Sequence, residues 1–351
     1  MKKLVKLLPL VVVASLTACE KYHYVENAQP LWLFNTFVSF RMKLQTAFAG
    51  GKTYSEIINT LQEYDRLADP NRERRGEVTS DYEQGPNVYT LNHTNERTKI
   101  SQDFYFFLKR VDELQESVKY FNPLIGSLSN KWKASLNLNG ESDRTPAQLS
   151  SSEIEEELAK MQNTSLTIEK EQDQFVYYAQ RKGDGLIDLG AVAKGYALDE
   201  CLEYMSYYTG STEDYLINAG RSSILVGENL QRSSKAFVIE VSEKNPRVVI
   251  EVSNAFISTS GVSEQKVEID GTTYSHIISP ETGSAISNYD QVTVIAPNVI
   301  GNGALGDVLS TSLMMSTKAE IEEAETKFGV KIIAIKDGKI EYKSKDITLS
   351  N

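Results

Sequence analysis

Cysteine is nearly absent from this chain. Two residues in 351, Cys19 and Cys201, exclude a disulfide framework and a four-cysteine zinc site. Histidine is almost as scarce: His23, His93 and His276 leave little room for a multi-histidine metal centre. Positive charge is in deficit, with 37 basic against 48 acidic side chains and a formal net charge of −11. That balance argues against a nucleic-acid partner, which needs a basic face. Long apolar runs are missing too. The longest, Leu7–Leu16, falls well short of the ~20 residues that span a bilayer. No repeat or low-complexity tract is visible. What remains is 40% hydrophobic and 24% charged, a globular composition long enough for one large domain or two ordinary ones.

The first twenty residues, MKKLVKLLPLVVVASLTACE, place Lys2, Lys3 and Lys6 before the short apolar run. This is the pattern of a secretion signal. Its end, Leu16-Thr17-Ala18-Cys19, fits the bacterial lipoprotein pattern, in which cleavage precedes a lipid-modified cysteine. The expected organisation is a signal at 1–18, lipidation at Cys19, a polar tether over 19–30 and a folded domain over 31–351. The mature chain would then lie outside the cytoplasm, held to a bacterial membrane. Cys201 sits in a helical pattern and reads as a small buried hydrophobe.

Leu31–Leu44 reads as one strand. Apolar spacing marks helices over Tyr54–Leu67, Ser101–Tyr120 and Val192–Tyr208. A capping box at Ser152-Glu153-Ile154-Glu155 opens another helix, and Thr317-Lys318-Ala319-Glu320 caps one that ends before Gly329. A further helix is expected over Asp307–Ser316. Short strands are expected at Phe175–Ala179 and Leu186–Leu189. After residue 210 strands dominate, with hairpins at Asp270-Gly271 and Asp337-Gly338. Asp69–Asn87 reads as a surface loop. Helices and mostly antiparallel strands in separate blocks indicate an α+β fold, with no composition shift to divide it.

Four segments invite a chemical reading. Gly50-Gly51-Lys52-Thr53 ends like a phosphate loop, but Thr46 occupies the position of its opening glycine, and a polar turn before a helix explains it. Asp188-Leu189-Gly190-Ala191-Val192-Ala193-Lys194-Gly195-Tyr196-Ala197 is a strand running into a helix start crowded with small residues. Exposed N–H groups and the helix dipole favour an anion there, although a tightly packed corner with a solvated lysine accounts for it equally well. His276, among hydroxyls and before Pro280, has the chemistry of a base near neutral pH; a structural histidine bonded to a carbonyl is the plainer alternative. Asp307 and Thr311, at i and i+4, offer two hard oxygens suited to Mg²⁺, or Asp307 simply caps its helix. No G-x-S-x-G elbow is present.

Taken in order, Asp188–Ala197, Asn218-Ala219-Gly220, Thr259-Ser260-Gly261, Ser275-His276-Ile277-Ile278 with Pro280, Thr282 and Gly283, and Asp307 with Thr311 resemble the ApbE family, the FAD:protein FMN transferases. Phe34-Asn35-Thr36, Tyr89–Asn92, and Phe121-Asn122-Pro123-Leu124-Ile125-Gly126 with Trp132 extend the resemblance towards the N-terminus. It implies two intertwined lobes of mostly antiparallel sheet with packed helices, a T-fold-like arrangement with FAD between the lobes. It implies Mg²⁺ on the diphosphate, held by Asp307, Thr311 and the Ala191 carbonyl. Asp188 and Lys194 would contact the flavin nucleotide, and Phe34, Tyr120, Phe121, Asn122 and Ile277 would line the rest. His276 would take the proton from a threonine or serine hydroxyl of an exported flavoprotein, which receives FMN as AMP leaves. Four positions depart from the family pattern: Asn122 and Ser279 stand where it has aspartate, Leu124 where it has threonine, and Arg221 breaks a glycine pair. Magnesium-dependent FAD hydrolysis and a flavin-binding lipoprotein without activity stay open beside transfer.

Overall fold

The computed structural model describes residues 23–27, 29–44, 47–71, 85–138, 140, 145–172, 174–208, 214–243, 246–263 and 265–350. The chain begins with β1 (His23–Glu26), β2 (Leu31–Leu33), β3 (Thr36–Leu44) and α1 (Ala47–Ala68). There follow α2 (Val88–Asn92), β4 (Thr98–Ile100), α3 (Gln102–Ser117), α4 (Gly126–Ser135), α5 (Ser151–Gln162), β5 (Ser165–Lys170) and β6 (Tyr177–Lys182). Next come α6 (Ala193–Tyr208), β7 (Tyr215–Ala219), β8 (Ser223–Val226), β9 (Phe237–Ser242), β10 (Val248–Val252) and β11 (Ala255–Gly261). The chain closes with β12 (Lys266–Ile269), β13 (Thr272–Ser275), β14 (Gln291–Pro297), α7 (Asn302–Ser312), α8 (Lys318–Phe328), β15 (Lys331–Lys336) and β16 (Lys339–Lys343).

One antiparallel sheet runs β1-β3-β7-β8-β11-β14-β15-β16, with β2 beside β1 on the same edge of β3. Strand periodicity sends alternate side chains to opposite faces, and here both faces are covered. Val292 and Val294 of β14 and Ile332 and Ala334 of β15 face the main core, with α1, α6 and α7. Ile295, Ile333 and Ile335 face a second core beneath the β9–β10 ribbon. This is why the strand stretches late in the chain read as nearly continuous apolar runs. A smaller lobe joins the three-stranded sheet β4-β6-β5 to α3, whose Phe104, Phe107, Leu108, Val111 and Leu114 are buried at helical spacing. Burying each of those side chains stabilises the fold by about 1.5–3 kcal/mol. A third core gathers α4, α5 and the β12–β13 hairpin around Trp132, whose indole donates to the Gly283 carbonyl at 2.8 Å. The α+β class and the two-lobed, mostly antiparallel layout hold.

Several local expectations need correction. The stretch 19–30 is not wholly a tether: His23–Glu26 pairs with Arg41–Leu44 as an edge strand. Cys19 and the signal segment lie outside the described residues, as do 72–84 of the expected loop. Leu31–Leu44 is a hairpin, because Phe34 and Asn35 both adopt positive φ (51° and 56°). That is the two-residue turn whose twist suits a hairpin, and it carries no glycine to announce it. The Phe34 N–H donates to Asp65 Oδ1 at 2.7 Å, which helps to hold the turn. Gly51-Lys52-Thr53 lies inside α1, not in a turn before it. The capping box opens at Ser150, two residues early, with Glu153 in the third helical position. Leu186–Leu189 is not a strand; Leu186 makes a single bridge to Ile125. The strand expected from Phe175 starts at Tyr177. Cys201 is fully buried in α6, as expected.

Candidate active site

A cavity of about 250 Å³ opens between the lobes. One wall is the start of α6 and the segment leading into it, with Asp188, Gly190, Ala191 and Lys194. The glycine and alanine keep that wall shallow, and the helix N-terminus brings its partial positive charge to the edge. His276, Ile277 and Ile278 also line the cavity. Tyr120, Phe121 and Asn122 close one end, and Ser222, Thr259, Ser260 and Thr311 form the floor.

Asp307 lies behind that floor. It does not cap its helix, as α7 begins five residues earlier at Asn302. Its side chain is almost wholly buried. Oδ1 accepts from Ser223 Oγ at 2.7 Å and Ser258 Oγ at 2.8 Å, and Oδ2 from the Gly195 N–H at 2.7 Å. Burial pushes this carboxyl up, against the opposing pull of the Lys194 ammonium and those three donors. Three neutral donors and one lysine leave a buried anion that a cation would further stabilise. One turn on, the Thr311 hydroxyl donates to the Asp307 carbonyl at 3.2 Å and meets Ser260 Oγ at 3.0 Å.

These groups suit a hard divalent cation. Oδ2 of Asp307 takes only one of the described hydrogen bonds; Thr311 and Ala191 line the cavity, whereas Asp307 is buried next to it and is not itself among the lining residues. Among the described residues no group of three or more His, Cys, Asp or Glu converges as a metal centre. The protein donors would be the Asp307 carboxylate, the Thr311 hydroxyl and the Ala191 carbonyl. That set fits a cation which completes its shell with oxygens of a bound phosphate.

Asp188 is braced on both sides: its Oδ1 accepts the Gly190 N–H at 2.9 Å, and Oδ2 lies 3.7 Å from Lys133 Nζ. His276 sits just past the end of β13 rather than on it, with Nδ1 3.4 Å from the Gln265 carbonyl. Tyr120 is held at positive φ (60°), and its hydroxyl donates to Glu320 Oε1 at 3.3 Å. Glu320, held down to about 2 by Lys119 and the Thr317 N–H, stays ionised as that partner. Phe34 is not among the cavity-lining residues; its turn packs against the main core instead.

The ApbE family model matches residues 40–334. The chain belongs to the ApbE family. It is 30% identical over 165 residues to the FAD:protein FMN transferase of Vibrio cholerae, covering 45% of this chain and 48% of that one. It is 28% identical over 215 residues to the Salmonella typhimurium protein of the same name, covering 60% and 58%. These matches span only about half the length of the relatives. The crystal structure of the ApbE protein from Thermotoga maritima superposes with a TM-score of 0.67 at 20% identity, over 92% of this chain and 97% of that one. The fold is thus the ApbE fold along nearly its whole length.

Sequence reasoning missed Lys133 and Ser129, both on the cavity wall. They stand on α4, whose apolar face within the helix is only Leu128 and Trp132, too short a stripe to announce a helix. The departures from the family pattern have local explanations. Asn122 Oδ1 accepts the Leu124 N–H at 2.9 Å, and Ser279 Oγ accepts the Thr282 N–H at 3.3 Å. Each supplies the turn-forming acceptor that an aspartate would supply. Arg221 occupies a glycine-like conformation (φ 63°), donates its N–H to Asn218 Oδ1 and pairs with Glu243.

Proposed function

We propose that this protein is an FAD:protein FMN transferase, moving FMN from FAD to a threonine or serine hydroxyl of an exported flavoprotein and releasing AMP. One observation carries the reading. Segments scattered over 120–311 converge on a single cavity lined by a lysine, a helix N-terminus, a histidine and a floor of hydroxyls, with the Asp307 carboxylate buried next to it against Ser223, Ser258 and the Gly195 N–H. A diphosphate needs cationic and N–H partners, and an incoming hydroxyl needs a base. Asp307, Thr311 and the Ala191 carbonyl would hold Mg²⁺, which when bound neutralises charge on the diphosphate.

Lys194 and the α6 N-terminus bind and orient the diphosphate. Tyr120, Phe121 and Ile277 give the isoalloxazine an apolar bed and exclude water. The acceptor oxygen bonds to the phosphorus on the FMN side, the bond from that phosphorus to the bridging oxygen breaks, and AMP departs with that oxygen. The hydroxyl proton passes to His276. Hydrolysis differs only in the acceptor, water. The local roles of Asn122 and Ser279 remove the main reason to favour an inactive flavin binder.

The test is in-gel flavin fluorescence of a denatured acceptor protein after incubation with FAD and Mg²⁺. The wild-type chain should give a fluorescent acceptor band. His276→Ala should slow band formation by about 10²–10⁴-fold while FAD still quenches on binding. AMP without a band would replace transfer by hydrolysis, and bound FAD without AMP would leave a flavin carrier. The lipoprotein pattern at Cys19 supports a membrane-held enzyme outside the cytoplasm. Labelled palmitate should enter the chain and be lost in Cys19→Ala; equal labelling of both would remove that placement. Among the described residues no helix is long and apolar enough to cross a membrane.

A further inference from the structure

Two large aromatic side chains stand in solvent on the first hairpin. Trp32 is 58% exposed and Phe37 63%. They are cross-strand partners with ring centroids 4.9 Å apart in an edge-to-face contact. Among the described residues this is the one ring pair in which both members are exposed large hydrophobics, and it lies next to an open strand. On its outer side β2 has no strand partner among the described residues.

The position of this pair relative to the cavity decides what it serves. The Gly220 N–H donates to the Phe37 carbonyl at 3.0 Å. A Cβ on Gly220 would fall 2.3 Å from Thr36 Oγ1, so the hairpin and the 219–222 turn are in close contact. That turn delivers Ser222 to the cavity floor. The aromatic pair therefore lies at the cavity end of the main sheet, with β7 and β8 between β3 and the β11 residues of the floor. The chain's N-terminal side leaves from the other end, since His23 pairs with Leu44. From Phe37 to Leu44 is seven residues along β3, about 23 Å at ~3.3 Å per residue. A lipid at Cys19 would be tied by four residues, a reach of at most ~14 Å, to the end of β1 remote from Trp32. The membrane is a poor occupant for the pair.

We infer that Trp32, Phe37 and the open edge of β2 are the docking surface for the polypeptide that accepts FMN, engaged as an extended segment leading into the cavity. The inference rests on the transferase reading. A cavity of about 250 Å³ cannot admit a folded protein, so an acceptor must lie across the rim and feed one hydroxyl inwards. An extended segment can add to an open strand edge through main-chain hydrogen bonds, while aromatic anchors supply the apolar contact. Such a surface recognises backbone and one or two apolar side chains rather than charge.

The experiment uses the full-length chain in detergent micelles and a recombinant acceptor protein bearing one flavinylation threonine. In the Trp32→Ala/Phe37→Ala double variant, KM for the acceptor should rise about 10-fold or more. FAD affinity, read by flavin fluorescence, and kcat at saturating acceptor should change by less than about threefold. An unchanged acceptor KM overturns the inference. A binding readout keeps it separate from the chemistry. The chain has two tryptophans, and Trp132 is only 2% exposed, so acrylamide quenching reports Trp32. Excess acceptor should shield Trp32 several-fold from acrylamide. If the wild-type chain forms no covalent flavin, the transferase reading fails; if Trp32 stays equally quenchable under excess acceptor, the docking surface fails.

Discussion

Asp307→Ala should reduce flavin transfer by about 10³-fold or more, equivalent to roughly 4 kcal/mol of lost transition-state stabilisation. The Asp307 carboxyl is buried next to the cavity beside the Lys194 ammonium, which favours the charged form against the burial that pushes it up. Alanine also strands its donors. The hydroxyls of Ser223 and Ser258 can rotate to other acceptors, but the Gly195 N–H cannot turn away. An unpaired buried donor costs about 1–3 kcal/mol, so the variant should also melt a few degrees lower. Asp307→Asn separates the two effects. Its amide oxygen can accept the Gly195 N–H while its two amide hydrogens donate to the serine hydroxyls, which can rotate to accept them, so the partners stay satisfied while the charge is removed. Its melting temperature should stay near that of the wild type, and its residual activity should no longer respond to Mg²⁺ over the wild-type range. An asparagine variant with an unaltered Mg²⁺ titration would sink the metal assignment.

Gly195→Ala should be the most damaging small substitution in the fold. An added Cβ would lie 2.1 Å from the Gly303 carbonyl oxygen and 2.9 Å from the Ala304 nitrogen. The contact is reciprocal, for a Cβ on Gly303 would come within 2.3 Å of the Gly195 carbonyl oxygen. Backbone meets backbone, so no side chain can give way. Asp199 pins the same crossing by accepting the N–H groups of Gly301, Gly303 and Ala304 at 2.8–2.9 Å. Forcing α6 from α7 would stretch these bonds together with the one between Gly195 and Asp307. A loss of about 3 kcal/mol or more is expected, with FAD affinity falling in parallel because Lys194 and Asp307 move on different helices. Gly51→Ala is the control: nothing lies within 4 Å of its Cβ, and alanine in a helix interior is favoured by up to about 1 kcal/mol. Thermal unfolding of both variants checks the pair. Equal melting temperatures would show that the crossing has slack that its distances do not suggest.

Most cavity-lining residues were legible because they travel in short local motifs whose residue types are unusual together. Asp188, Lys194, His276 and Thr311 needed no knowledge of packing to be noticed. The depth of Asp307 could not be read in that way. It is set by Gly195, on a helix more than a hundred residues earlier in the chain, and by two serines on strands. The same holds for β1, a four-residue strand that depends on β3 for its pairing, and for the hairpin turn, where Asn35 is permissive but Phe34 is not. Leu186–Leu189 looked like a strand because it is mostly apolar, and Ile187 and Leu189 are indeed buried. Its burial comes from packing beside α4, where Gly126 accepts contact with the Leu186 backbone.

Cys201 has a use that lies outside catalysis. It is sealed inside α6, and burial among Asp199 and Glu200 pushes its thiol well above the ordinary range. It is therefore silent to alkylating and oxidising reagents while the protein is folded. A cysteine introduced at any surface position becomes the one reactive thiol of the folded domain. Fluorophores, spin labels or crosslinkers can thus be placed on either lobe without first removing Cys201.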